Sequence, residues 1–71
     1  MRFIKIQGKR AIIDLDEIMM VAPLEERDLY VIEFHFKRKG SWKIFFNERI
    51  KRDAIFSKIE EILSVIILEV D

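Results

Sequence analysis

"LYVIEFHFKRKGSWKIFF", residues 29 to 46, decides how this chain folds. Tyr30, Ile32, Phe34 and Phe36 alternate with Val31, Glu33, His35 and Lys37, and Trp42, Ile44 and Phe46 alternate with Ser41, Lys43 and Phe45. A period of two residues is that of a half-buried β-strand. A two-residue loop at Lys39-Gly40 would set Phe36 opposite Lys43 and Phe34 opposite Phe45, mixing the two faces. A three-residue loop at Arg38-Lys39-Gly40 instead sets Phe36 opposite Trp42, Phe34 opposite Ile44 and Ile32 opposite Phe46. Parity therefore selects an odd loop, with Gly40 as its left-handed residue. Trp42 then shares the core face with Ile44 and Phe46, and the cations at the tip keep a protruding corner solvated.

Upstream, "RFIKIQGKRAII" reads as two short strands joined by a two-residue turn at Gly8-Lys9, with Ile6 opposite Ala11 and Ile4 opposite Ile13 on one face. Phe3 falls on the other face with Lys5, where the end of the helix or another subunit is expected to cover it. "DLDEI" is a turn in which Asp14 bonds to backbone amides two or three residues on, with Leu15 and Ile18 turned inward. "IMMVA" is expected to be a short buried strand closed by Pro23, followed by an exposed acidic loop, "PLEERD".

Downstream the period changes. Asn47 suits an N-cap and Glu48 a first helical turn. Ile55, Phe56, Ile59, Ile62, Leu63, Ile66, Ile67 and Val70 fall on one stripe at helical spacing, with Arg52, Asp53, Lys58, Glu60, Glu61 and Ser64 mostly off it. Ile50, Val65 and Leu68 are apolar and also lie off the stripe. Either the β-branched "VIILEV" leaves the helix, or a second apolar face meets a partner.

The expected fold is α+β: five short antiparallel strands, in the order β-β-β-β-β-α, covered on one face by a C-terminal helix. A chain of 71 residues is one domain, spanning residues 1 to 71. With 51% apolar and 37% charged residues its composition is that of a folded protein. A domain of this size buries only about 60% of its unfolded surface, so such domains commonly need a disulfide, a metal or a partner. There is no cysteine and one histidine, which removes disulfides, thiolate chemistry and most imidazole-rich metal sites. No cofactor is expected, and self-association or a partner protein is the remaining supplement.

Net charge is zero, so no global field draws the chain to nucleic acid or anionic lipid. The distribution is nonetheless uneven. Residues 14 to 28 hold Asp14, Asp16, Glu17, Glu25, Glu26 and Asp28 against Arg27. Residues 37 to 52 hold Lys37, Arg38, Lys39, Lys43, Arg49, Lys51 and Arg52 against Glu48. That asymmetry implies two opposed faces or an internal match between neighbours. Abundant Lys, Arg and Glu without cysteine also fits a thermophile composition. The N-terminus lacks the apolar run of a signal peptide. The run Val65 to Leu68 is far short of the roughly 20 residues that span a bilayer. A soluble, cytoplasmic protein is expected.

No catalytic constellation is visible, and no enzyme is expected. His35 lies between Glu33 and Lys37 on the polar side of its strand, without the partners general-base chemistry needs. Asp14, Asp16 and Glu17 lack the glycine and the closing bidentate glutamate of a cation loop, and read as a solvated turn. Lys37, Arg38, Lys39 and Lys43 are the candidate nucleic-acid contacts, the second choice of function. The first choice is self-association, or association with another protein, through Phe56, Leu63, Val65, Ile67, Leu68 and Val70.

"IKIQG" at 4 to 8 and "IDLDEI" at 13 to 18 resemble the small FlbD/SwrD-like flagellar family of bacterial and phage-type proteins. There an "IKLxxG" strand leads to an "xLNxxxI" turn and a further strand. The resemblance covers the first third of the chain. It departs at Asp16, where those proteins favour asparagine or proline, and in a longer helix. It implies a non-enzymatic accessory role and carries over no functional residue.

Overall fold

A computed structural model describes residues 2 to 69. Five strands precede one helix: β1 (Phe3–Lys5), β2 (Ile12–Asp14), β3 (Ile18–Glu26), β4 (Leu29–Phe36), β5 (Ser41–Phe46) and α1 (Arg49–Leu63), with a 3-10 turn at Leu15–Glu17. The α+β order is the expected one. The strands divide into two antiparallel sheets, the hairpin β1-β2 and the meander β3-β4-β5. Ile6, Ile13, Ile32, Phe34, Ile44, Phe46 and Ile59 form one core, so α1 and the β1-β2 hairpin cover the same face of the larger sheet.

The β4-β5 hairpin has the predicted parity and a corrected register. Tyr30 lies opposite Phe46, Ile32 opposite Ile44 and Phe34 opposite Trp42. Phe36 N–H donates to Gly40 O at 3.2 Å, so the three loop residues are Lys37, Arg38 and Lys39. The expected pairings of Phe36 with Trp42 and Phe34 with Ile44 are therefore off by two residues. A two-residue slip leaves every side chain on its own face, which is why alternation alone does not detect it. The observed register stacks Trp42 on Phe34, with ring centroids 6.4 Å apart. Such an aromatic pair contributes about 1 kcal/mol beyond its buried area. Gly40, at φ +110°, closes the loop instead of lying within it.

β3 differs most from expectation. It is neither buried nor closed at Pro23: it runs on to Glu26, and Met19 and Met20 are exposed. The supposed acidic loop shrinks to the two-residue turn Arg27-Asp28, with φ values of 51° and 65°. Two left-handed central residues match the right-handed twist of a hairpin, although asparagine and glycine usually supply them. Bonded pairs then alternate outward from Glu26 and Leu29, and Pro23 falls at a position that needs no ladder donor, on an edge strand.

In the first hairpin Ile4 lies opposite Ile13, as predicted. Lys9 N–H donates to Ile6 O at 2.9 Å, which centres the turn on Gln7-Gly8, one residue before the expected Gly8-Lys9. Asp14 accepts from the Asp16 amide at 3.0 Å and ends β2, and Leu15 is buried. Arg2 donates to Asp16 and to Ile62 O, tying the start of β1 to the end of α1.

The helix cap is Glu48, without a side-chain bond, in place of the expected Asn47. Ile59 is buried in the core, with Ile55, Phe56 and Leu63 packed against it. Arg52, expected on the outer surface, is 7% exposed. It donates to Leu24 O at 2.6 Å and to Asp53 at 2.8 Å, with its guanidinium 5.5 Å from the Tyr30 ring centre. Arg49 lies 5.7 Å from the same ring and 3.4 Å from Glu25. The charge asymmetry is in this part an internal match: the acidic end of β3 meets the basic start of α1.

α1 ends where Ser64 takes φ +55°. Ser64 N–H donates to Glu61 O at 3.1 Å and Val65 N–H to Glu60 O at 3.3 Å. This paired closure normally uses glycine at the left-handed position. The stripe of eight is thereby cut: Ile66 and Ile67 lie beyond the helix, and Val70 lies outside the described residues.

On the open face of the sheet, His35 Nε2 is 2.9 Å from Glu33 Oε1, and Lys43 donates to Glu26 at 2.8 Å. Lys43, by that hydrogen bond and then by its charge, holds the Glu26 carboxyl below its ordinary 4.5. Glu26 in the same way raises Lys43 above 10.5.

Backbone strain of the same kind predicts opposite outcomes at two positions. Gly40→Val should cost about 1 kcal/mol or more, because a β-branched residue resists positive φ. Ser64→Gly should add up to about 1 kcal/mol, because glycine takes the left-handed cap without a Cβ penalty. Thermal melts that rank the variants in the reverse order would contradict both turn assignments. The Glu26–Lys43 pair sets a pH dependence. Glu26, with its folded pKa depressed, stabilises fully above its unfolded pKa, and that contribution fades as pH falls through the folded value. Lys43, with its folded pKa raised, does so below its unfolded pKa and loses its contribution as pH rises through the folded value. Glu26→Gln should therefore lower the melting temperature at neutral pH, with the gap to wild type closing below about pH 4. A gap that stays constant down to about pH 2 would contradict the pairing.

Candidate association surface

Each residue expected at an interface has a distinct place. Phe56 and Leu63 are half-buried against the chain's own core. Val65, Ile67 and Leu68 follow the helix cap and are 50%, 78% and 84% exposed, with Ile66 between them at 84%. They are exposed because the Ser64 closure stops the helix before these residues can continue the apolar stripe over the sheet. The backbone of 65 to 69 carries no helix or strand assignment.

An apolar groove of about 270 Å³ ends at Ile62, two residues before the helix cap. Residues 4 to 7 form one wall, and Ile55, Lys58, Ile59 and Ile62 form the other. Successive residues of a strand point to opposite faces. A wall made of four consecutive residues therefore follows the edge of β1 and the start of the turn after it, not one face. Among the described residues β1 pairs with β2 alone, so its other edge has no strand against it. Lys5 and Lys58 stand at the groove, and Arg2 holds its end against the last helical turn. Phe3, half exposed on the outer side of β1, extends the apolar surface, as does Ile12 across the hairpin.

Sequence reasoning missed this groove, because it lies between residues about fifty positions apart. Its one signal was Phe3, whose placement beside Lys5 already asked for a cover.

The nucleic-acid candidates differ in setting. Lys37, Arg38 and Lys39 are exposed at the β4-β5 tip, whereas Lys43 lies along β5 against Glu26 and Glu33. Arg49 and Arg52 lie at the Tyr30 end of the sheet, bound to Glu25 and to Leu24 O. A wider cleft of about 770 Å³ lies between the Gly8 turn and the start of α1, where Lys9 donates to Phe45 O at 2.6 Å. Among the described residues no three His, Asp or Glu side chains gather as a metal site. No helix among them is long and apolar enough to cross a membrane.

The chain matches no protein-family model, no curated protein and no solved structure.

Proposed function

We propose that this chain is a small non-enzymatic association module that works as a homo-oligomer, with residues 65 to 68 at the centre of its contact surface. The observation that carries this reading is four consecutive large aliphatic side chains, each at least 50% exposed. Burying one such side chain contributes roughly 1.5–3 kcal/mol. Monomeric proteins rarely leave a run of that kind uncovered. The core is small for its chain, so a partner that covers the tail adds stability where no disulfide can. An accessory role is also what the resemblance to FlbD/SwrD-like proteins implies, and a cysteine-free chain suits a reducing cytosol.

At tens of micromolar the wild-type chain should sediment as a dimer or larger, and Leu68→Glu should shift it toward monomer. Leu68 is 84% exposed within the single chain, so the substitution leaves the fold intact and tests the surface alone. A wild type that stays monomeric at millimolar concentration would contradict the proposal.

A further inference from the structure

From the edge of β1 and the exposed tail, we infer that two copies exchange tails, residues 65 to 68 of each adding as a strand along β1 of the other. This deepens the association reading and rests on it. The groove and the tail complement each other in three respects. In backbone terms, one edge of β1 has no strand against it among the described residues, and Val65-Ile66-Ile67 is a β-branched run suited to extended pairing. Strand addition to an exposed edge is a general recognition mode, with main-chain bonds giving affinity and alternate side chains filling pockets. In packing terms, alternate tail residues would meet Ile55 and Ile62, which flank the buried Ile59. In charge terms, Lys5 and Lys58 stand where the acidic Glu69 would follow the apolar run.

Symmetry also selects a second copy of this chain. A fully buried aliphatic side chain removes on the order of 100 Å² from water. Two inward-facing side chains on each of two tails, with the surface they cover, then give roughly 800 Å², the size of a weak contact. Each tail leaves Ser64 only two residues beyond Ile62, itself part of the groove wall. A two-fold axis near the helix ends therefore brings each tail to the other copy's groove and closes the assembly at two. Within one chain the Ser64 closure directs the tail away, leaving all four side chains exposed.

The native chain has no cysteine, so single substitutions report contacts cleanly. Lys5→Cys and Ile67→Cys, made on separate chains at exposed positions, are mixed and oxidised. The mixed disulfide should exceed that between Ile67→Cys and Lys51→Cys, at the far end of α1, by at least about tenfold. A wild type that sediments as a dimer without this cross-link would overturn tail exchange and leave association standing. A monomeric wild type would remove both. Dilute chains carrying Lys5→Cys and Ile67→Cys together that cross-link within themselves would place the tail in its own groove, and would also overturn the exchange.

Discussion

Arg52 reaches from the first turns of α1 to Leu24 O on the edge strand β3, with the Tyr30 ring beneath its guanidinium. Burying a guanidinium is costly unless its donors and charge are met. Here a carbonyl, the Asp53 carboxylate and the face of an aromatic ring meet them. The anchor fixes the start of the helix over the end of the sheet where Tyr30, Glu25 and Phe46 lie. With that end held, the helix runs back over Ile32 and Phe34, and Ile59 closes the core. Arg2 holds the other end through Ile62 O. Both ends of the helix are thus held by arginines, and the hydrophobic residues fill the space between.

A helix placed in this way has a fixed stopping point. The closure at Ser64 satisfies the carbonyls of Glu60 and Glu61 and turns the chain out of its helical path. Four aliphatic residues then follow with no core to join. An exposed apolar tail and a strand edge with no strand against it among the described residues support the proposed association more simply than the charged regions do. The acidic end of β3 is already met by Arg49 at the start of α1 and by Lys43 on β5. Such charges contribute modestly at a solvated surface, and what remains at the β4-β5 tip is a short basic corner.

How much of this was legible in the sequence depends on which kind of information each element needs. The faces of β4 and β5 were legible, because alternation is a property of consecutive residues. The pairing of Phe34 with Trp42 was not, because slipping by two residues preserves the same alternation. β3 was cut short at Pro23, since only the register shows that a proline there disrupts no bond. Its turn was missed because Arg27 and Asp28 take left-handed backbone without the usual glycine. Arg52 was placed outside by the helical wheel, which counts a charge as solvent-facing and cannot see a carbonyl waiting on β3. For the candidate surface, the sequence marked Val65, Ile67 and Leu68 as surplus to the stripe. It left open whether they stayed helical, because Ser64 is an unusual residue at a left-handed cap. The groove that suits them needs β1 and α1 to be neighbours, a long-range fact.

Amide hydrogen exchange of residues 65 to 69, followed as a function of protein concentration, tests the central claim most directly. Opening free energies are local, so a tail covered by a second copy must gain protection that the core does not. The account predicts that protection of the tail and of β1 rises with concentration, while that of Val31, Ile32 and Phe34 changes much less. Tail protection equally low at every concentration, or equally high even at extreme dilution, would contradict it.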